Sequence, residues 1–438
     1  MLKVNLNFTS IGMLKKDYLT NQNSVCQNDS ARLKPLQKDV VSFTGKPEKT
    51  DAVDNNGIPL PKLKERQIII KPNDPKIIDL FKKYFEQEGK EFGEGTETGK
   101  LLATFNPGVI KAKDKYVMLL RCAVGEDYPP RSDKTYIHKP FVNYLVLTES
   151  KDGKNFEPKK VLITPDAKNT WGYEDPRITY MPNEEKPYYI TATGFDGKCP
   201  RMTLFKTKDF DKLEGPISVG PNADLKEGTP DYHNKDHFFI KNPKGETLFF
   251  HRPYTSEYAN IHALRVKNID DLKNKDFWKK NVKISDQAEN TGTEKKTDSV
   301  ILNAINGSWQ NRIGGGAAPI ETDKGFLMIY HGTNYYENIN DRTYCAGVAL
   351  LDKNDPTKLI AKAPYPFIKS ELPEEKEGCV INVIFPSGNI KDDKGNIIIY
   401  YGAADENVGS VKVNEKELLD YVLHYDENGK LKKNAETK

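Results

Sequence analysis

The chain has 438 residues, 37% hydrophobic and 29% charged, enough for one large domain with tails or for two domains. Lys and Arg number 66 against 63 Asp and Glu, and the resulting net charge of +3 gives no case for nucleic acid or an acidic membrane as partner. The five cysteines are scattered and form no CxxC, so neither a disulfide framework nor a zinc site is indicated, and a reducing compartment fits. No apolar run approaches the ~18 residues of a membrane span. The N-terminus lacks the continuous apolar core of a secretory signal, so a cytoplasmic location is expected.

Residues 1–65 are rich in Lys, Asn, Gln, Ser and Asp and read as a flexible extension in which only Val40–Phe43 resembles a strand. Asp74-Pro75 then reads as a helix N-cap followed by proline in the first turn. Ile77, Ile78, Phe81, Tyr84 and Phe85 form the apolar stripe, and Gly89 marks the stop. From about residue 100 to 405 the pattern changes to paired short strands. The first strands are Asn106–Ile110, Asp175–Met181, Asp236–Lys241, Ala317–Glu321 and Val383–Ile390. Their partners are Tyr116–Arg121, Tyr188–Thr193, Thr247–Arg252, Phe326–His331 and Asn396–Tyr401, joined by turn chemistry such as Asp323-Lys324-Gly325. Asp127–Lys139 and Asp270–Ser299 read as long loops, the second with one helical turn near Phe277-Trp278. A last helix follows Asn414, with Glu417 completing a capping box and Leu418, Leu419, Val422 and Leu423 facing inward.

Five recurrent hairpins predict an all-β fold, a five-bladed β-propeller over residues 66–428 with flanking helices and a polar tail at 429–438. In an antiparallel hairpin the start of the first strand lies beside the end of the second. Asn106 is therefore expected near Arg121, Asp175 near Thr193, Lys235 near Arg252, Arg312 near His331, and Asn382 toward Asp405. A radial array gathers these groups into one mouth, the candidate active site.

The sharpest motif is Gly172-Tyr-Glu-Asp-Pro-Arg177. Pro176 stiffens the backbone that aims Asp175. Strict alternation puts Asp175 and Arg177 on one face and Glu174 on the other, so one acid faces the channel while the other serves the structure. The plainer reading is that both acids pair with neighbouring bases. Lys235, Arg252, Arg312 and His331 form a second set at the ends of hairpins three and four. Two guanidinium forks, an ammonium and an imidazole suit an oxyanion, phosphate above all, whereas a solvated basic rim is the plain alternative. Asn106, Arg121 and Asp405 suit a neutral sugar. Tyr335, Tyr336, Tyr344, Tyr401 and Trp309 are available for stacking, though core is the favoured reading for any single tyrosine. Gly314-Gly-Gly316 lacks the Lys-Ser/Thr of a phosphate loop and reads as a turn or a close backbone approach. His233 and His237 are not on a helical stretch, so no metal site is expected.

Several of these motifs occur together and in order: Phe105-Asn-Pro107, Leu120-Arg-Cys-Ala-Val-Gly-Glu-Asp127, Glu174-Asp-Pro-Arg177, His251-Arg-Pro253, Arg312-Ile-Gly-Gly-Gly316, Tyr330-His-Gly332, Ala349-Leu-Leu-Asp352 and Tyr401-Gly-Ala-Ala-Asp405. The set resembles glycoside hydrolase family 130, the β-mannoside phosphorylases and related mannosidases, over roughly residues 100 to 425. The resemblance implies a five-bladed propeller and inverting phosphorolysis of a β-mannoside to α-mannose 1-phosphate, with inorganic phosphate as co-substrate and no cofactor. It implies that Asp175 is the proton donor, acting through a sugar hydroxyl, and that Asn106, Arg121 and Asp405 hold the mannosyl unit. It implies phosphate binding by Lys235, Arg252, Arg312, His331 and Tyr344. One departure is Asp236, where the family pattern has Asn after the phosphate-contacting base. A carboxylate there repels phosphate unless it is turned away or paired. Two other readings stand beside phosphorolysis. One is a β-mannosidase with a second carboxylate among Glu174, Asp236 and Glu337, and the other is a sugar-binding propeller without catalysis. A homo-oligomer is compatible with all three.

Overall fold

The computed structural model describes residues 52–127, 140–220, 233–254, 259–281, 299–334 and 343–433. The strand expected at Val40–Phe43, nearly all of the loop expected at 127–139, the middle of the charged stretch and Tyr335, Tyr336 and Glu337 lie outside these residues.

Strand β1 (Leu63–Ile70) comes first, followed by helix α1 (Pro75–Gln87). Asp74 caps α1 by accepting from the Lys76 N–H at 2.9 Å, with Pro75 in the first turn, and Ile77, Phe81 and Phe85 are buried. Blade one is β2 (Lys100–Ala112), β3 (Lys115–Gly125), β4 (Phe141–Ser150) and β5 (Glu157–Ile163). Blade two is β6 (Tyr173–Tyr180), β7 (Tyr188–Phe195), β8 (Pro200–Thr207) and β9 (Leu213–Ser218). Blade three is β10 (His233–Lys241), β11 (Thr247–Tyr254), β12 (Ile261–Val266) and β13 (Ser299–Leu302), with a 3-10 turn at Ile269–Lys273 and helix α2 (Lys275–Asn281) between the last two. Blade four has β14 (Arg312–Gly315) and β15 (Ile320–Glu321) pairing β16 (Phe326–Thr333), then β17 (Tyr344–Leu351) and β18 (Leu359–Lys362). After the short helix α3 (Pro373–Lys376), blade five is β19 (Ile384–Lys391), β20 (Asn396–Ala403) and β21 (Asn407–Asn414), and helix α4 (Glu415–Leu423) follows.

The five sheets are the blades of the expected propeller. One cavity of about 240 Å³ is lined by a residue from the inner segment of each blade in turn: Val109, Ile178, Ile240, Ala317 and Asn389. It marks the end of the central channel opposite the mouth. β1 completes blade five as its outermost strand, pairing β21 from Leu63↔Val413 to Ile70↔Val408. Closing the last blade with a strand from the other end of the chain removes an exposed edge.

Three expectations change. The boundary of the extension at residue 65 falls too late, because Ile58 is buried in the apolar cluster shared by blades four and five and α4, and the Tyr425 hydroxyl donates to Asp54. The fourth inner strand starts at Arg312 rather than Ala317, since the glycine run itself is extended and pairs β16. Glu417 does not complete a capping box: Asn414 caps α4 by accepting from the Glu417 N–H at 3.2 Å, while the Glu417 carboxylate accepts from the Lys62 N–H at 3.0 Å. Tyr401 is core, as favoured for any single tyrosine of the set, its hydroxyl donating to the buried Glu375 at 2.6 Å, and Trp309 stacks on Tyr330.

Adjacent blades share apolar seams. Phe238 and Phe250 meet Met328 and Tyr330 between blades three and four, and α1 joins Met118, Leu120, Ile398 and Tyr400 between blades one and five. Phe81 is fully buried there, stacked at 5.8 Å on Phe92 and edge-on at 5.6 Å to Tyr144. Phe81→Ala should therefore cost about 3–5 kcal/mol, read as a fall in the urea midpoint. A change below about 1 kcal/mol would mean that α1 melts apart from the propeller.

Candidate active site

The mouth is built by a repeated backbone device. The inner strands of blades one, two and three each carry a bulge near the mouth, between Phe105 and Gly108, Glu174 and Arg177, and Lys235 and Phe238. Each bulge contains a residue in the left-handed region: Asn106 at φ 45°, Asp175 at 48° and Asp236 at 55°. Asn and Asp tolerate this region better than other side chains with a Cβ. The bulge breaks strict alternation, and with it the expected separation of Glu174 from Asp175. Both acids meet one guanidinium: Arg121 Nη1 lies 2.8 Å from Asp175 Oδ1, and Arg121 Nη2 2.9 Å from Glu174 Oε1.

Arg121 is fixed on every side. Its Nε donates to Asn143 Oδ1 at 2.9 Å, and its guanidinium lies 4.3 Å above the Phe105 ring. Asn106 Nδ2 donates to Asp175 Oδ1 at 2.8 Å. The other carboxylate oxygen of Asp175 faces Lys235 Nζ at 3.6 Å. Asp175 is only 2% exposed, and burial pushes its pKa up. The fields of Arg121, Lys235 and Arg177 and the Asn106 hydrogen bond outweigh burial and hold the carboxyl well below the usual range. Blade five closes against this group: the Thr104 N–H donates to the Glu406 carbonyl at 2.9 Å, next to Asp405. The Asn106 amide lies so close to Gly402 that a Cβ there would fall 1.8 Å from Asn106 Oδ1.

The cationic set gathers beside it. Lys235 and Arg252 are direct cross-strand partners, as expected from their positions. Arg252 Nε lies 2.7 Å from Asp236 Oδ2. His331 Nε2 lies 3.6 Å from the same oxygen, and its ring is 4.3 Å from Phe385 and 6.2 Å from Tyr344. Arg312 and Tyr344 flank Thr333 on the neighbouring strands of blade four, which places them on the same rim as His331. Burial, with the fields of Arg252 and Arg177, drives the His331 pKa down to about 3 against the pull of Asp236, so the imidazole is neutral.

Sequence reasoning missed two partners. Asn143, on the next strand of blade one, braces Arg121, and its Nδ2 also donates to Glu174 of blade two at 3.3 Å. Arg177, read only as a neighbour of Asp175, proves to be a central strut whose donors go to the carbonyls of Asp175, Gly315 and Gly316 and to Asp236. The close backbone approach expected at Gly314–Gly316 was the available signal. Among the described residues no cluster of His, Cys, Asp or Glu is arranged to hold a metal, and no helix is long and apolar enough to cross a membrane.

Comparison with known proteins bears on this geometry. The sequence profile described as beta-1,4-mannooligosaccharide phosphorylase matches residues 73–424. A beta-1,2-mannobiose phosphorylase of Thermoanaerobacter sp. (strain X514) is 31% identical over 323 residues, 73% of this chain and 92% of its own. A 4-O-beta-D-mannosyl-D-glucose phosphorylase of Bacteroides fragilis is 32% identical over 337 residues, 75% of this chain and 77% of its own. The solved beta-1,2-mannobiose phosphorylase of Listeria innocua, in complex with beta-1,2-mannobiose, shares the fold with a TM-score of 0.61 at 22% identity, covering 82% of this chain and 98% of that one. A propeller with this mouth and these relatives is an enzyme of the glycoside phosphorylase class. Within that class the chain belongs to glycoside hydrolase family 130.

Two buried imidazoles make stability depend on pH. His237, whose Nε2 pairs with the Thr203 carbonyl at 3.0 Å, is driven by burial to a pKa of about 3, as His331 is. Their folded values are depressed from the ordinary 6.5, so the unfolded chain takes up protons first as pH falls. The stability gained by keeping them neutral is complete above pH 6.5 and lost between 6.5 and about 3. Each contributes a slope of about 1.4 kcal/mol per pH unit in that window. The Tm should fall steadily from pH 6.5 to 4.5, and less steeply in His237→Asn. A flat profile over that range would show that neither ring is held neutral.

Proposed function

We propose that this enzyme performs inverting phosphorolysis of a β-mannoside, giving α-mannose 1-phosphate and a shortened sugar. The observation that carries the reading is the position of the cationic pair. Lys235 and Arg252 stand opposite each other on β10 and β11, and Lys235 Nζ is 3.6 Å from the Asp175 carboxylate. Like charges directly across a ladder repel. An anion bound between them relieves that repulsion and lies beside the candidate acid.

A phosphate oxygen forms the new bond to the anomeric carbon as the glycosidic bond breaks. The leaving oxygen takes a proton from Asp175, relayed by a sugar hydroxyl. Asn106, Arg121 and Asp405 hold the mannosyl unit, and Lys235, Arg252, Arg312, His331 and Tyr344 hold the phosphate. Phosphate is already anionic, so it needs placement rather than a base. An inverting hydrolase instead needs a second carboxylate to activate water. Of the candidates for that role, Glu174 is held by Arg121 and Asp236 by Arg177 and Arg252, which disfavours hydrolysis, and Glu337 lies outside the described residues. The relatives differ in linkage and acceptor, so the proposal is for β-mannosides as a class.

The test is release of mannose 1-phosphate from a panel of β-mannosides with and without inorganic phosphate. Phosphate-dependent release is expected, whereas equal release of free mannose without phosphate would replace this reading with hydrolysis. Asp175→Asn should lower kcat by about 10²–10⁴ with the fold intact. Arg252→Ala should raise the KM for phosphate by about tenfold and leave the KM for the mannoside nearly unchanged. Equal effects on both KM values would remove Arg252 from the phosphate site.

A further inference from the structure

Asp236 is the residue that departs from the pattern of phosphate sites, and it is also where three blades converge. It is 1% exposed. Its Oδ1 accepts from Arg177 Nη2 of blade two at 3.0 Å. Its Oδ2 lies 2.7 Å from Arg252 Nε of blade three and 3.6 Å from His331 Nε2 of blade four. Gly314 makes room for this meeting, because a Cβ there would fall 2.3 Å from Asp236 Oδ2 and 2.4 Å from His331 Cε1. A carboxylate in this place looks hostile to phosphate, and the question is what its presence achieves.

We propose that Asp236 is a positioning residue for the phosphate site, holding Arg252 and His331 in a single arrangement at the mouth. The proposal rests on the phosphorolysis reading above. Arg177 has its other donors committed to the carbonyls of Asp175, Gly315 and Gly316, so Arg177 and Asp236 form an internally balanced pair. The repulsion that Asp236 exerts on a bound anion is correspondingly small. Its orienting effect is large, because an arginine binds a tetrahedral oxyanion well only when its planar fork is aimed. The two oxygens serve separate partners. Oδ1 takes the Arg177 hydrogen bond and Oδ2 the ion pair with Arg252, and an asparagine, neutral and with a donor group in place of one oxygen, cannot serve both.

The test compares Asp236→Asn, Asp236→Ala and Gly314→Ala with the unmodified enzyme. Two measurements are made on each: the rise in Tm on adding inorganic phosphate, and the separate KM values for phosphate and mannoside. In Asp236→Asn the phosphate KM should rise by about tenfold, the scale of one charge-assisted hydrogen bond, with the mannoside KM nearly unchanged and a smaller phosphate-induced rise in Tm. Asp236→Ala should behave alike and recover in part with added formate, which supplies the missing carboxylate. Gly314→Ala leaves the carboxylate in the chain but displaces it, and should raise the phosphate KM in the same direction. It carries the test if the Asp236 variants do not fold. A phosphate KM in Asp236→Asn equal to or below that of the unmodified enzyme would overturn the proposal. So would a uniform loss of kcat with neither KM changed and no response to formate. If phosphate neither raises the Tm nor supports turnover in the unmodified enzyme, phosphorolysis itself falls, and this proposal with it.

Discussion

The guanidinium of Arg177 sits where blades two, three and four meet, 1% exposed. It donates to the carbonyls of Gly316 at 2.7 Å, Gly315 at 2.7 Å and Asp175 at 2.8 Å, and to Asp236 Oδ1 at 3.0 Å. A buried charge is costly unless its geometry is good and its donors are satisfied. Here most acceptors are main-chain oxygens, which position the side chain through the backbone of the neighbouring blades. The consequence reaches Asp175, the proposed acid. Arg177 holds the carbonyl of Asp175 while Arg121 holds its carboxylate at 2.8 Å. Asp175 is gripped at both ends by arginines from two blades, so its position is a property of the propeller's closure and not of one loop.

The same economy appears in the backbone. Asn106, Asp175 and Asp236 occupy one position in three successive blades, each at a bulge and each with φ between 45° and 55°. Such a conformation costs about 1–3 kcal/mol where a Cβ is present, and it persists only where surrounding contacts over-determine it. In return, a pseudo-symmetric fold brings three polar groups to one level of the mouth. Their neighbours then make them different. Asn106 becomes a donor to Asp175, Asp175 keeps one oxygen toward Lys235, and Asp236 has both oxygens engaged by cationic side chains and His331.

The hairpins were legible because period-two alternation and turn residues survive in every blade. Pairings such as Lys235↔Arg252 followed directly from strand ends. What alternation could not convey was the bulge. It assigned Glu174 and Asp175 to opposite faces, whereas the left-handed turn at Asp175 sets both on Arg121. Nor could it reveal the partners of Arg177, since a main-chain carbonyl at Gly315 or Gly316 has no side-chain signature. β1 was hidden for a related reason: its outer-edge sequence, LKERQIII, carries Arg66 to the buried Glu375 at 2.6 Å, an ion pair that resembles surface polarity when read in one dimension.

Under the proposed phosphorolysis, the charge arrangement also bears on why one carboxylate would suffice. In the free enzyme Asp175 is ionised, because Arg121, Lys235 and Arg177 overcome the effect of its burial. An ionised carboxylate cannot donate a proton. Under phosphorolysis, a phosphate anion bound between Lys235 and Arg252 takes up part of the field that Lys235 directs at Asp175. The cost of protonating Asp175 falls as a result. The nucleophile thus also assists the acid, through an ammonium that faces both. Water carries no charge and brings no such relief, so the same mouth with water in place of phosphate would leave the field of Lys235 directed at Asp175. The paired state of Asp236 completes the argument. Were that carboxylate free, it would repel the anion on which the protonation of Asp175 depends, and Arg177 and Arg252 on either side of it remove the conflict.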